Sequence, residues 1–236
     1  MTRTILIPAF VLTVATFIAA LSLSHIREVT QPRIEKQQRE KQQRALSTVL
    51  PGFEVKEKIT ADIDGKEFTY WPAEKDGSKG YAFISSEPGY SGDIRVMVGV
   101  NERGKVLGIS ILQQTETPGL GARCTEVAST TTFFGKLFGK GGDEEPGRPW
   151  FQKQFSGLDL TEDVSIVQKG DWDPSMREEL LEENAISSIT GATITAKAVI
   201  DAIDRGMTLL QKEVEIPAPE EEKDENGDTE QTGEVN

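Results

Sequence analysis

The chain has one cysteine and one histidine among 236 residues. A single cysteine, Cys124, rules out an intrachain disulfide and any cysteine cluster for zinc or iron–sulfur. It reads as a small buried hydrophobe. A single histidine, His25, rules out a Ser-His-Asp or Cys-His device unless it lies in the folded domain, and it stands instead beside the N-terminal apolar run. No GxGxxG follows a strand and no GxxxxGK[ST] occurs, so a doubly wound nucleotide fold has no support. No acidic spacing matches a calcium loop. Basic excess is lacking too: the net charge of −13 argues against a nucleic-acid partner. The acid is unevenly spread. Residues 213–236 hold ten acidic residues and one lysine, and removing their −9 leaves −4 for residues 1–212.

What is present begins with residues 5–24, ILIPAFVLTVATFIAALSLS, an uncharged run. Twenty helical residues span about 30 Å, the thickness of a bilayer's hydrocarbon core. The run is apolar on every face, which a soluble helix rarely is. A cleaved secretion signal is the rival, but the positive start is thin and Ala19-Ala20-Leu21 offers no small-x-small site. The spacing therefore predicts a retained anchor over residues 1–25, with the lipid bilayer as partner. Flanking positive charge is nearly balanced and specifies orientation only weakly.

Residues 26–50 predict a juxtamembrane helical connector. After Pro32 it is rich in Glu, Lys, Gln and Arg. Ala45, Leu46, Val49 and Leu50 form a stripe to dock on the domain, and Pro51-Gly52 stops the helix. Residues 95–100 (RVMVGV) and 105–113 (KVLGISILQ) predict two antiparallel strands joined by the turn at 101–104. Residues 133–149 predict an exposed loop, after which Trp150, Phe151 and Phe155 pin the chain to the core by packing. A helix is expected from about 194 to 213, with Ala196, Val199, Ile203, Leu210 and Val214 on its apolar face. The fold class expected is α+β, an antiparallel sheet with packed helices over residues 51–214, preceded by one transmembrane helix. Residues 215–236 have too few apolar groups to offset the entropy of ordering, and predict a disordered acidic tail.

Before the last helix stands Thr190-Gly191-Ala192-Thr193. Either threonine can cap the helix, and the free N–H groups of a helix start favour a phosphate. The residues alone leave capping and anion binding open. Residues 116–121, ETPGLG, follow the second strand, and residues 89–100 read GYSGDIRVMVGV. With these motifs in this order behind an N-terminal anchor, the chain resembles the FMN-binding RnfG component of Rnf electron transport complexes and, next to it, the NqrC component of the Na⁺-translocating NADH:quinone reductase.

That resemblance implies covalent FMN, its phosphate esterified to Thr193 by a separate flavin transferase. Thr190, Gly191 and Ala192 would flank the link; Glu116, Thr117, Gly119, Leu120 and Gly121 would line the cofactor, the glycines letting backbone approach closely. It implies an electron-relay subunit of a redox-driven Na⁺- or H⁺-translocating ferredoxin:NAD⁺ oxidoreductase. The partners would be the other Rnf-type subunits, and the domain would lie on the periplasmic or outer side of the cytoplasmic membrane. The alternatives are the quinone-reductase component, a flavin-free anchored scaffold and a soluble flavin reductase. The pattern departs at Ser187, where the family often carries an acid three residues before the box as part of the transferase signal.

Overall fold

The computed structural model describes residues 2–63, 65–127 and 147–216; residues 128–146, which hold most of the expected loop, and the tail from 217 onward lie outside the described residues. The chain enters as one continuous helix, α1 (Thr2–Val49), of 48 residues, about 72 Å long at 1.5 Å per residue. Anchor and connector, given as residues 1–25 and 26–50 by the sequence reading, are one element. Pro32 forfeits a single hydrogen bond, and the strong helix formers on its C-terminal side carry the helix onward. Large apolar side chains such as Phe10, Phe17 and Leu23 point into no part of the protein. Burial starts only at Ala45, where the last turns meet the domain.

Six strands form the main sheet: β1 (Glu54–Val55), β2 (Ile59–Ile63), β3 (Lys66–Lys75), β4 (Ser78–Pro88), β5 (Asp93–Asn101) and β6 (Val106–Gln113). Their order is β1-β3-β4-β5-β6, with β2 also on β3, and every pairing is antiparallel. Then come a 3₁₀ turn (Gly121–Thr125) and α2 (Trp150–Lys153), followed by β7 (Ser165–Val167), α3 (Arg177–Glu182), β8 (Ala185–Ser187) and α4 (Thr193–Glu213). The one parallel pair among the described residues is β7 with β8. The expected α+β class and antiparallel sheet are what the structure shows, with β2 and β3 as strands the sequence reading did not place.

Two helices cover the sheet on opposite faces, and the strand alternation follows them. Phe83, Val96, Val98, Val100, Ile109 and Ile111 face α4, which buries Ala196, Val199, Ile203, Met207 and Leu210. Trp71, Ala73, Ala82 and Met97 face the other way, onto Ala45, Val49 and Leu50 of α1 and its end. Coverage on both faces explains why RVMVGV is an unbroken apolar run rather than an alternating one. Gly99 and Gly108 are cross-strand partners. A Cβ on Gly99 would strike the Val49 carbonyl, and one on Gly108 would lie 3.2 Å from the Thr48 carbonyl. Two missing side chains thus make the notch that seats the end of α1. Trp150, Phe151 and Phe155 are buried in the α4-side core, with Phe151 and Phe155 packed edge to face at 5.3 Å.

Candidate functional site

Three segments far apart in sequence converge beside the start of α4: the 89–92 turn between β4 and β5, the 114–121 loop after β6, and the turn that leads from β8 into α4. Glu116 ties them together. It is 5 % exposed. It accepts the Thr195 O–H at 2.6 Å and the Ser91 N–H at 3.0 Å. Its own N–H donates to the Gln114 side-chain oxygen at 2.7 Å. Thr117 turns the loop back, its carbonyl accepting the N–H groups of Leu120 at 3.1 Å and Ala122 at 3.3 Å. Gly121 has no room for a side chain, because Thr195 Oγ1 and the Glu116 carboxylate occupy that space. Its lack of a side chain therefore serves packing under the cavity. Gly119 sits at φ +78° with open space around it.

The 190–193 turn is shaped differently from a capped helix start. Gly191 is at φ +78°, in the left-handed region that favours glycine. The Ala192 N–H donates to the Ile189 carbonyl at 2.9 Å. The capping position of α4 is Ala192, and no side chain caps it. The expectation that Thr190 or Thr193 caps the helix is thus corrected: Thr193 is the first helical residue and its side chain is exposed, while Thr195 is turned inward to Glu116. Early N–H groups of α4 have no intrahelical acceptor, and an uncapped start leaves them available to an outside anion.

Asp171 fixes the turn from behind. Its Oδ1 accepts the Thr190 N–H at 3.2 Å, and its two oxygens receive the Arg123 guanidinium at 3.2 and 2.7 Å. Burial alone would push the Asp171 carboxyl up; Arg123 and the Thr190 amide outweigh it and hold the group below the usual carboxylate range. Arg123 also lies over the Trp150 ring, 5.5 Å from its centroid. Cys124 is fully buried nearby, and burial, helped by the Glu116 charge, pushes its thiol up to about 12. It stays protonated and inert, a packing residue.

Above these groups lies a cavity of about 470 Å³, within the roughly 300–1,000 Å³ of small-molecule sites. Glu116, Thr117, Leu120 and Gly121 line one side, and Gly191, Ala192 and Thr193 the other. Thr190 and Gly119 were expected at the site but are not in the lining. Tyr90, Ile194 and Thr195 complete it, and the sequence reading missed them. The sign of Tyr90 was available in the GYSGD turn; Ile194 and Thr195 needed the pitch of the helix. Ser187 is fully buried in β8, its hydroxyl donating to the Gly170 carbonyl.

Comparison with known proteins shows the family to which the chain belongs. The profile of the FMN-binding domain matches residues 89–208, just over half the chain. This chain belongs to the FMN-binding domain family. The RnfG N-terminal region matches residues 1–49, and the chain is a member of the RnfG/NqrC group of ion-translocating complex subunits. It is 28 % identical over 123 residues to the G component of the Na⁺-translocating ferredoxin:NAD⁺ oxidoreductase complex of Acetobacterium woodii, covering 52 % of this chain and 44 % of that one. It is 27 % identical over 194 residues to the G component of the proton-translocating ferredoxin:NAD⁺ oxidoreductase complex of Clostridium ljungdahlii, covering 81 % and 84 %. Among solved structures, the C component of the Na⁺-translocating NADH-quinone reductase from Parabacteroides distasonis superposes with a TM-score of 0.50 at 17 % identity, over 76 % of this chain and 94 % of that one. That likeness concerns the fold. In this FMN-binding domain both motifs named from the sequence, ETPGLG and TGAT, border one cavity.

Proposed function

We propose that the chain is a single-pass, membrane-anchored electron-relay subunit carrying FMN esterified through its phosphate to Thr193. Its setting is a redox-driven Na⁺- or H⁺-translocating ferredoxin:NAD⁺ oxidoreductase complex of Rnf type. The observation that carries this reading is the cavity itself, which has the exposed Thr193 side chain and an uncapped helix start on one side and the 116–121 loop on the other. Bound FMN supplies one- and two-electron transfer. The protein's part is to hold it. The Leu120 and Ile194 side chains and the Tyr90 ring offer apolar surface at the cavity, and Thr117 offers a hydroxyl.

The charges favour a covalent link. None of the ten lining residues is Lys or Arg. A phosphate monoester carries about −1.5 to −2 near neutrality, whereas a helix start supplies only about half a positive charge. Esterification to Thr193 leaves a diester with a single charge, which suits the helix start better, and the bond makes retention independent of affinity. The attachment needs help from outside. Glu116 is engaged by Thr195 and Ser91, and His25 lies far off on α1, so among the described residues no base stands ready for the Thr193 hydroxyl. A flavin transferase acting on FAD fits: the Thr193 oxygen forms the new bond to phosphorus, the pyrophosphate bond breaks, and AMP leaves. α1 would lie in the cytoplasmic membrane, with the domain on its periplasmic or outer side and the other members of the complex around it.

The test is the intact mass of the full chain matured with its flavin transferase. Wild type gains one FMN less one water, and Thr193→Ala gains nothing while remaining folded. Unmodified wild-type protein overturns the reading and leaves the flavin-free scaffold, to which Ser187 points.

A further inference from the structure

A second cavity, of about 700 Å³, lies between the last turns of α1, β6 and residues 147–152. A smaller one of about 130 Å³ adjoins it and shares Lys41, Leu112 and Gln113. Lys41, Arg44, Arg95 and Arg148 line the two, with no Asp or Glu among the lining residues. None of these four cations has an ion-pair partner among the described residues. Three of them reach only backbone: Lys41 donates to the Leu112 carbonyl, Arg44 to Glu40 O at 3.3 Å and Arg148 to Thr48 O at 2.8 Å. By contrast Lys56, Arg123, Lys169, Lys197 and Arg205 each face a carboxylate. In a chain of net charge −13, four clustered cations without counterions mark a site for an anion.

We propose that this groove docks the chain's own acidic C-terminal segment, residues 220–234. Charge and reach both support that occupant. Residues 217–236 carry eight acidic residues and one lysine. The described chain ends at Ile216, whose Cγ2 lies 3.6 Å from where a Cβ on Gly104 would stand, at the turn before β6. Along β6 the groove runs from Ser110 to Gln114, six and ten residues beyond Gly104, so it lies about 20–33 Å from that turn at ~3.3 Å per residue. Asp224, Glu225 and Asp228 follow Ile216 by eight to twelve residues, a reach of about 26–40 Å when extended. This is enough to run along the strand and round its edge. β6 is the last strand of the main sheet, and residues 156–160 lie along the first part of its edge, bonded to Gly104, Val106 and Leu107, so the segment passes outside them to reach the groove. The segment is nearly devoid of large apolar residues, so its docking rests on charge and weakens with salt.

Zero-length carbodiimide cross-linking of the full chain in detergent, as a mixture of ¹⁴N- and ¹⁵N-labelled protein, tests this by peptide mass spectrometry. Lys41 is expected to form an amide with a carboxylate between residues 220 and 234 of the same chain. The yield should fall roughly tenfold in 1 M salt, where the screening length is about 3 Å. It should fall similarly in Arg44→Gln/Arg95→Gln, which keeps the reactive Lys41 amine. The Lys56–Glu74 pair at 2.7 Å serves as the internal control that the protein is folded and the reagent active. With that control linked, three results overturn the proposal: Lys41 joined only to Asp143, Glu144 or Glu145; Lys41 joined only to the other isotope's chain; or Lys41 left free.

Discussion

At the scale of single residues, the site turns on two hydroxyls two positions apart. Thr193 is exposed and Thr195 is committed to Glu116, so only the first is open to modification. Glu116 holds the 89–92 turn and α4 at once, and the buried carboxylate is strongly coupled to its donors. Glu116→Gln should cost about 1–3 kcal/mol in urea unfolding. Combined with Thr195→Val the two losses should fall short of additive, as they do for groups in one network; full additivity would mean that the bond carries no energy. Asp171 yields a pH prediction. Its folded pKa is depressed, so its contribution is present above the unfolded value of about 3.9 and is lost as pH falls through the folded value. The urea midpoint of wild type should exceed that of Asp171→Asn from pH 5 to 7, with the gap closing below about pH 4; a gap independent of pH would remove Arg123 and Thr190 as its cause. Of these residues, Thr193 and Glu116 were legible in the motifs. Asp171 was not, because its link to Thr190 spans 19 positions and passes through no recognisable pattern.

At the scale of elements, the seam between α1 and the sheet depends on missing atoms. Gly99→Ala puts a methyl group into the Val49 carbonyl, backbone against backbone, with no flexible side chain to yield. It should lose about 1–3 kcal/mol, and more than Gly108→Ala, whose added carbon crowds the Thr48 carbonyl less severely, at 3.2 Å. Equal losses measured by chemical denaturation would mean that the helix end shifts freely on the sheet. α4 was the most legible element, since its apolar face recurs at helical spacing and Ala196, Val199, Ile203 and Leu210 are all buried. Strands β5 and β6 were readable from their apolar runs. β2 and β3 escaped notice because their alternation is mixed with polar and charged residues, and Pro72 interrupts the reading of β3. The helical composition of the connector was legible, but its continuity with the apolar run was not: α1 passes from one to the other, and through Pro32, without a break.

At the scale of the whole molecule, a long helix with bare apolar side chains is joined to a domain whose cores lie on both faces of one sheet. The exposed surface of α1 around Phe10, Phe17 and Leu23 calls for an apolar surrounding. The full chain should sediment with membranes and resist alkaline carbonate extraction, while a chain starting at residue 26 should stay in the supernatant; release of the full chain by carbonate would remove the anchor. The sequence by itself determined the apolar N-terminal run, the acidic end, the last helix and the two motifs, since each is a matter of local composition or helical period. Only the tertiary structure decided that ETPGLG and TGAT border one cavity, that Thr195 rather than Thr193 turns inward, and that four cations stand together without counterions. Those facts depend on contacts across tens of residues, where the register of strands and the pitch of a helix select which side chains meet.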